Sequence, residues 1–321
     1  LHPIPRRQRQ MCIRDSIVAF KSAVAVVDGK DELSPVIPEN AEKYADIMID
    51  GWVKRIKPHK IILCFSDPSR KYFRHKIYPE YKANRKDVVR PELLPHILEY
   101  LKKKYTNVVR EGLEADDLLG LMGTDPNVPD PVVISIDKDL LTVPCKFYNP
   151  DKFTRAVRIN QRVADLNMFK QAMIGDSADN FKGIPGIGTK KANAIVEENL
   201  RDPWGATLQA FINNHLSEEY AIQMVQLARI LRYGDYNVEN KEIKLWHPKE
   251  EKWIASTHNT TSTAKVSKQS TTSKASVKES QVKKHQASQT QSSTSVDTEE
   301  KTTQKKTKRK TSKKQSGIVK E

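Results

Sequence analysis

The chain has 321 residues and a formal net charge of +15, so a sizeable core is affordable and a polyanionic partner is indicated. Its mean hydropathy of −0.64 and the lack of any apolar run of spanning length exclude a membrane-spanning helix. Cys12, Cys64 and Cys145 have no paired spacing, which argues for a reducing compartment and against a zinc site.

The charge is uneven. Ala255–Glu321 carries 15 Lys+Arg against 5 Asp+Glu, leaving 40 against 35 elsewhere, so the basic signal says little about the folded part. Residues 1–14 begin without Met and lack periodicity. They read as foreign or mistranslated sequence joined to a real open reading frame. Ile17 to Val27 is apolar after an Arg-rich start, but Lys21 interrupts it and Asp28 closes it, which excludes a signal peptide.

Helical patterning is expected over about 41–56, 91–105 and 114–122. Ile61–Phe65 and Val132–Ile136 are short, β-branched-rich runs followed closely by Asp; they predict buried parallel strands. The alternation predicts an α/β fold with ligands at the carboxyl ends of its strands. After Asn160 the chain reads as helical, through Phe169 and then over 192–198 and 218–231, with Lys241–Trp246 closing the fold. From Ala255 the sequence is Ser, Thr, Lys and Gln without an aromatic residue, a composition expected to be disordered. The expected divisions are therefore a leader at 1–14, an α/β domain at 15–160, a helical domain at 161–254 and a tail at 255–321.

Acidic residues recur where such a sheet would gather them. Asp67 follows the first strand run, Glu114, Asp116 and Asp117 open a helix, Asp137 and Asp139 follow the second strand run, and Asp176 and Asp179 come later. Each group alone has an ordinary reading: a helix start favoured by the dipole or an Asp-Pro turn. Together they would raise one another's pKa unless cations sat among them. Two hard divalent ions about 4 Å apart would relieve the repulsion and clamp a phosphodiester.

Two further stretches fit a nucleic-acid backbone. Lys71–Lys86 interleaves cations with aromatics, among them Arg74, Tyr81, Lys82 and Arg85; rings stack on bases and cations neutralise phosphates. A solvated amphipathic helix is its bland alternative. Gly183-Ile-Pro-Gly186-Ile-Gly188 precedes Lys190 and Lys191 at an expected helix start. The glycines allow positive φ and close backbone approach, and a helix N-terminus attracts phosphate.

Tyr81-Lys-Ala-Asn-Arg-Lys86, Leu113-Glu-Ala-Asp-Asp117, Ile134-Ser-Ile-Asp-Lys-Asp139, Gly175–Gly188 and Gln226–Tyr233 together resemble the 5′ nuclease superfamily, especially 5′→3′ exonucleases of T7-like short-tailed phages. The resemblance implies a PIN-like α/β nuclease domain followed by a helical helix-hairpin-helix (H3TH) domain that grips duplex DNA. It implies two Mg²⁺ or Mn²⁺ ions. Asp67, Glu114, Asp116 and Asp137 would hold one, and Asp139, Asp176 and Asp179 the other, with Asp117 in support. It also implies that Lys82 and Arg85, helped by Arg74, contact the scissile phosphate, and that K⁺ binds the carbonyls of the Gly183–Gly188 hairpin. The implied partner is DNA with a 5′ end or flap, or an RNA–DNA hybrid; the implied state is monomeric, in the cytoplasm of a phage-infected host.

One departure matters. The family begins with a strand ending in Asp-Gly-Asp, whereas Arg14-Asp15-Ser16 stands before the matching Ile17–Ala23 helix start. The first strand and its ligand are therefore expected to be missing, with Asp28-Gly29 a poor substitute. Two rivals follow: a non-catalytic DNA-binding protein of the same fold, and a PIN-type ribonuclease, which normally lacks the glycine hairpin.

Overall fold

Short apolar runs form a six-stranded sheet from β1 (Gln10–Arg14), β2 (Lys60–Cys64), β3 (Asn107–Val108), β4 (Val132–Ile134), β5 (Lys146–Tyr148) and β6 (Val157–Arg158). The order is β3-β2-β1-β4-β5-β6. All neighbours are parallel except the β5–β6 pair. The computed structural model describes residues 8–25, 37–85 and 88–249. Expectations placed on residues 1–7, on Asp28-Gly29, on Lys86 and on the tail from Ala255 lie outside the described residues.

Side chains alternate across the sheet, and both faces are covered. Met11, Ile13, Leu63, Val132 and Ile134 face one cluster. Their partners come from α1 (Asp15–Ala25), α2 (Pro38–Ile56) and α4 (Leu94–Lys104), through Ile17, Ala45, Ile49, Trp52, Ile97 and Leu101. Cys12, Cys64, Val133 and Phe147 face the opposite way, against Leu118 and Leu119 of α5 (Ala115–Thr124) and Ala164 of α6 (Gln161–Ile174). Each such aliphatic or aromatic side chain contributes about 1.5–3 kcal/mol by burial.

The strand expected to be missing is present. Gln10–Arg14 is the central strand, paired with both β2 and β4, with Met11, Cys12 and Ile13 fully buried. Three consecutive apolar residues suffice for a slot buried on both faces. What stands at its carboxyl end is Arg14, with Asp15 opening α1.

Beyond the sheet, α7 (Thr189–Glu198), α8 (Pro203–Asn213) and α9 (Glu218–Ala228) join α6 around a second core that includes Met168, Phe169, Val196, Phe211 and Met224. Polar caps start three of these helices: Asn160, Asp202 and Ser217 accept from Val163, Gly205 and Tyr220 amides, satisfying donors the helix leaves open. Helix α8 forms where the sequence pattern predicts no helix, and Lys241–Trp246 contributes only an isolated bridge, Tyr236 with Ile243.

The halves expected on either side of Asn160 are tied into one compact unit, Leu1–His258. Residues 229–233 form a strap back to α5: the Leu231 amide donates to Asp117 Oδ1 at 3.3 Å and the Tyr233 amide to Thr124 Oγ1 at 2.7 Å. Gly120 makes room for it, since a Cβ there would lie 2.2 Å from the Leu231 carbonyl oxygen. Gly120→Ala should therefore destabilise the fold by about 1–3 kcal/mol, as overpacking does. Urea unfolding measures it, and unchanged stability would mean that the strap does not rest on α5.

Candidate active site

Loop and helix starts at the carboxyl edge of the sheet carry the acidic residues. Glu114 caps α5, with its side chain accepting from the amide at the third helical position while the Asp117 carboxylate accepts from the Glu114 amide. This capping box fixes the carboxylates of the first turn, where the helix dipole favours negative charge. Asp137 Oδ1 accepts from the Asp139 amide at 3.1 Å, starting a 3₁₀ turn over Lys138–Thr142. Asp176 Oδ1 accepts from the amides of Ala178 at 2.8 Å and Asp179 at 3.3 Å.

The basic stretch docks directly on these acids. Arg74–Ile77 forms α3, and the chain then turns so that the Lys82 amide donates to the Asp179 carbonyl at 2.9 Å. Asn84 donates to the Ser177 carbonyl at 2.7 Å and Arg85 Nε to that of Ala178 at 2.9 Å. Lys82 pairs with Glu114, and Arg85 Nη2 lies 2.6 Å from Asp179 Oδ1. The Tyr81 hydroxyl lies 2.9 Å from Glu114 Oε2 and 2.7 Å from Asp179 Oδ2. One hydroxyl thus spans acids from α5 and from the loop before the hairpin.

Two cations unforeseen in the sequence complete the set. Arg14 Nη2 lies 2.8 Å from Asp116 Oδ2, and its Nη1 pairs with Asp137. Lys138 Nζ lies 3.0 Å from Asp176 Oδ2. Only the strand register revealed Arg14, because it takes the end of β1 between the strand ends that lead to Asp67 and Asp137.

The electrostatics follow the distances. Burial, reinforced by Asp137, Asp176 and Asp179, pushes Asp139 up to about 7. Burial also pushes Asp116 well above the carboxylate range, against the pull of Arg14, and Asp15 up to about 6, with Arg14 again opposing. Burial alone would raise Glu114, but Lys82 and Arg74 hold it at about 2. One oxygen each of Asp15, Asp116 and Asp139 is buried without a hydrogen-bond partner.

These features fit a hard cation in kind: the donors are all oxygens, they are crowded with like charge, and some lack a partner. Among the described residues no three acidic, His or Cys side chains already surround a common point. Protein cations hold them apart instead. On the Asp139–Asp176–Asp179 side those cations are Lys138, on a flexible stem, and half-exposed Arg85. On the Asp116 side a guanidinium fills the space between two carboxylates, and as the chain stands that half does not fit an ion.

Several expected site residues have other work. Asp67 accepts one amide on each oxygen, Ser69 at 2.9 Å and Gly112 at 2.7 Å, which holds its carboxyl below the usual range against burial. Arg74, expected to touch DNA, is buried with Asp117; the pair is internal, and Asp117 is committed to it. Tyr81 is likewise buried. Lys190 and Lys191 are exposed at the start of α7. In the hairpin, Gly183 at φ 59° abuts Gly175, with a Cβ at Gly183 reaching 2.5 Å from the Gly175 amide nitrogen. Gly188 needs no such freedom: it caps α7 with φ −100°.

A family model described as the 5′-3′ exonuclease N-terminal resolvase-like domain matches residues 35–165. The Escherichia phage T7 exonuclease is 28% identical over 225 residues, which cover 59% of this chain and 74% of that protein. The exodeoxyribonuclease of Enterobacteria phage T3 is 27% identical over 224 residues, with the same coverages. These matches support placing the chain with the 5′ nuclease superfamily. They support a 5′ nuclease that hydrolyses DNA, and the non-catalytic rival is not favoured. A crystal structure of the T5 D15 protein co-crystallised with metal ions shares the fold, with TM-score 0.53 and 20% identity over 69% of this chain and 89% of that one. A D15 flap endonuclease complex with DNA and metal ions gives TM-score 0.52 at 19% identity, again over 69% and 89%.

The raised Asp139 pKa makes a prediction for the 5′ nuclease fold without metal. Its ordinary value is 3.8 and its folded value about 7, so the unfolded chain loses this proton first, and stability falls as pH rises between them. In chelator-treated protein, Asp139→Asn should raise Tm at pH 8 and leave it nearly unchanged near pH 4. A lower Tm at pH 8 would contradict the crowding.

Proposed function

We propose that this chain is a divalent-metal-dependent 5′→3′ exonuclease with structure-selective cleavage of duplex or flapped DNA. The observation that carries this reading is the docking of Tyr81–Arg85 on both Glu114 and Asp179, which places phosphate-binding cations among the acids. Asp139, Asp176 and Asp179 would hold one Mg²⁺ or Mn²⁺; in the other half Arg14 stands between Asp116 and Asp137, so those acids with Glu114 would take a second ion only in a variant without that guanidinium. Bound there, such ions polarise the phosphodiester and lower the pKa of water.

The chain's own side chains do the rest. Lys82, released from Glu114, neutralises a non-bridging oxygen of the scissile phosphate, and Arg85, released from Asp179, holds the neighbouring phosphate. Water adds to phosphorus, the P–O3′ bond breaks, and the product keeps a 5′-phosphate. Gly186 and Gly188 bring backbone close to the duplex while Gly183 seats the hairpin on Gly175, K⁺ sits on the hairpin carbonyls, and Lys190 and Lys191 add charge at the N-terminus of α7. Monomeric action in the cytoplasm of a phage-infected host, on DNA or RNA–DNA hybrid, completes the reading. Support comes from the phage exonucleases to which the chain is similar.

Arg14 slows this enzyme, because it neutralises Asp116 and Asp137 where a metal would. The test uses 5′-labelled duplex with Mn²⁺ or with chelator. Shortening only with Mn²⁺ is expected, and Arg14→Asp should increase the rate at least about tenfold, equivalent to about 1.4 kcal/mol. A shifted band without shortening in both proteins would overturn the catalytic reading.

A further inference from the structure

Arg74 uses all five of its N–H donors while only 2% exposed. Nη1 donates to Asp117 Oδ2 at 2.7 Å and Glu114 Oε2 at 3.0 Å. Nη2 donates to Asp117 Oδ1 and to the Arg229 carbonyl, both at 2.8 Å. Nε donates to the Leu227 carbonyl at 3.2 Å. The guanidinium carbon lies 4.6 Å from the Phe73 ring centroid.

These partners belong to three distinct parts of the fold. Phe73 and Arg74 begin the segment that carries Tyr81, Lys82 and Arg85. Glu114 and Asp117 open α5. The carbonyls of Leu227 and Arg229 lie at the end of α9, where a helix leaves acceptors open and favours positive charge. Asp117 closes the knot, accepting also from the amides of Glu114 at 3.2 Å and Leu231 at 3.3 Å.

We infer that Arg74 is a positioning residue that makes the orientation of Glu114 depend on the docking of the end of α9 and the strap that follows it, and so couples the acidic centre to the helical part proposed to hold DNA. The inference rests on the nuclease reading for its kinetic consequence alone. Glu114 Oε2 takes both the Arg74 and Tyr81 donors, and Oε1 takes Lys82. Releasing Arg74 therefore leaves Tyr81 as the one side-chain donor on that oxygen and loosens its orientation. Lysine cannot replace it, because an ammonium has three donors and no planar fork to meet Asp117 on both oxygens.

The test compares Arg74→Lys, Asp117→Asn and the double variant in the full chain. Hydrogen–deuterium exchange without metal should rise in both 114–118 and 227–231 in each single variant. On duplex DNA, kcat should fall by roughly 10–100-fold with KM changed by less than about threefold, as for other residues that orient ligands. The double variant should be no worse than the poorer single one. Exchange confined to 72–78, or loss expressed only in KM, would overturn the inference. Should Arg74→Lys fail to fold, Asp117→Asn keeps the shape and carries the same test. Absence of cleavage in the parent chain would defeat the nuclease reading and leave the exchange result to decide the role of Arg74.

Discussion

The fold depends on keeping a set of buried and half-buried carboxylates from repelling one another. Glu114, Asp116, Asp137, Asp139, Asp176 and Asp179 reach one region from three segments of the chain, and like charges in a low dielectric are costly unless countered. The protein counters them with Arg14, Lys82, Arg85 and Lys138. On the proposed function, a divalent ion takes the place of Lys138 and Arg85 among these acids. Side chains that neutralise the acids in the free protein are of the kind that bind phosphate, so occupation of the acids would release them toward a substrate.

A second ion-paired node holds the frame. Arg74 and Asp117 are fully interior, and each of their polar atoms has a partner in a different segment. Burying such a pair is tolerable because the bidentate geometry and the added carbonyls satisfy it completely; removing one partner leaves a stranded charge worth about 3–5 kcal/mol. Close backbone contact at Gly120 serves the same junction. The strap is therefore part of the nuclease core, although it follows the last helix.

Much of the arrangement was legible in the sequence. The runs at 61–65 and 132–136 and the helical spans 41–56 and 114–122 match β2, β4, α2 and α5 within a few residues, because apolar periodicity and capping residues mark them. The acids fell at strand and helix ends, and shared partners link four of them: Tyr81 joins Glu114 to Asp179, and Arg14 joins Asp116 to Asp137. What was not legible had physical causes. Met11-Cys12-Ile13 is too short to show periodicity, so the central strand was invisible without its neighbours. Arg74 resembled a surface cation because its partners lie 40 to 155 residues away. Asp67 and Asp117 share the chemistry of ligands, yet local amides and a buried guanidinium claim them first.

A crystal soaked in Mn²⁺ and measured at the manganese edge tests the central claim most directly. An anomalous peak among Asp139, Asp176 and Asp179, with Lys138 swung away from Asp176, is the predicted result. Peaks only elsewhere on the surface, with Lys138 still on Asp176 and Arg85 still on Asp179, would contradict it.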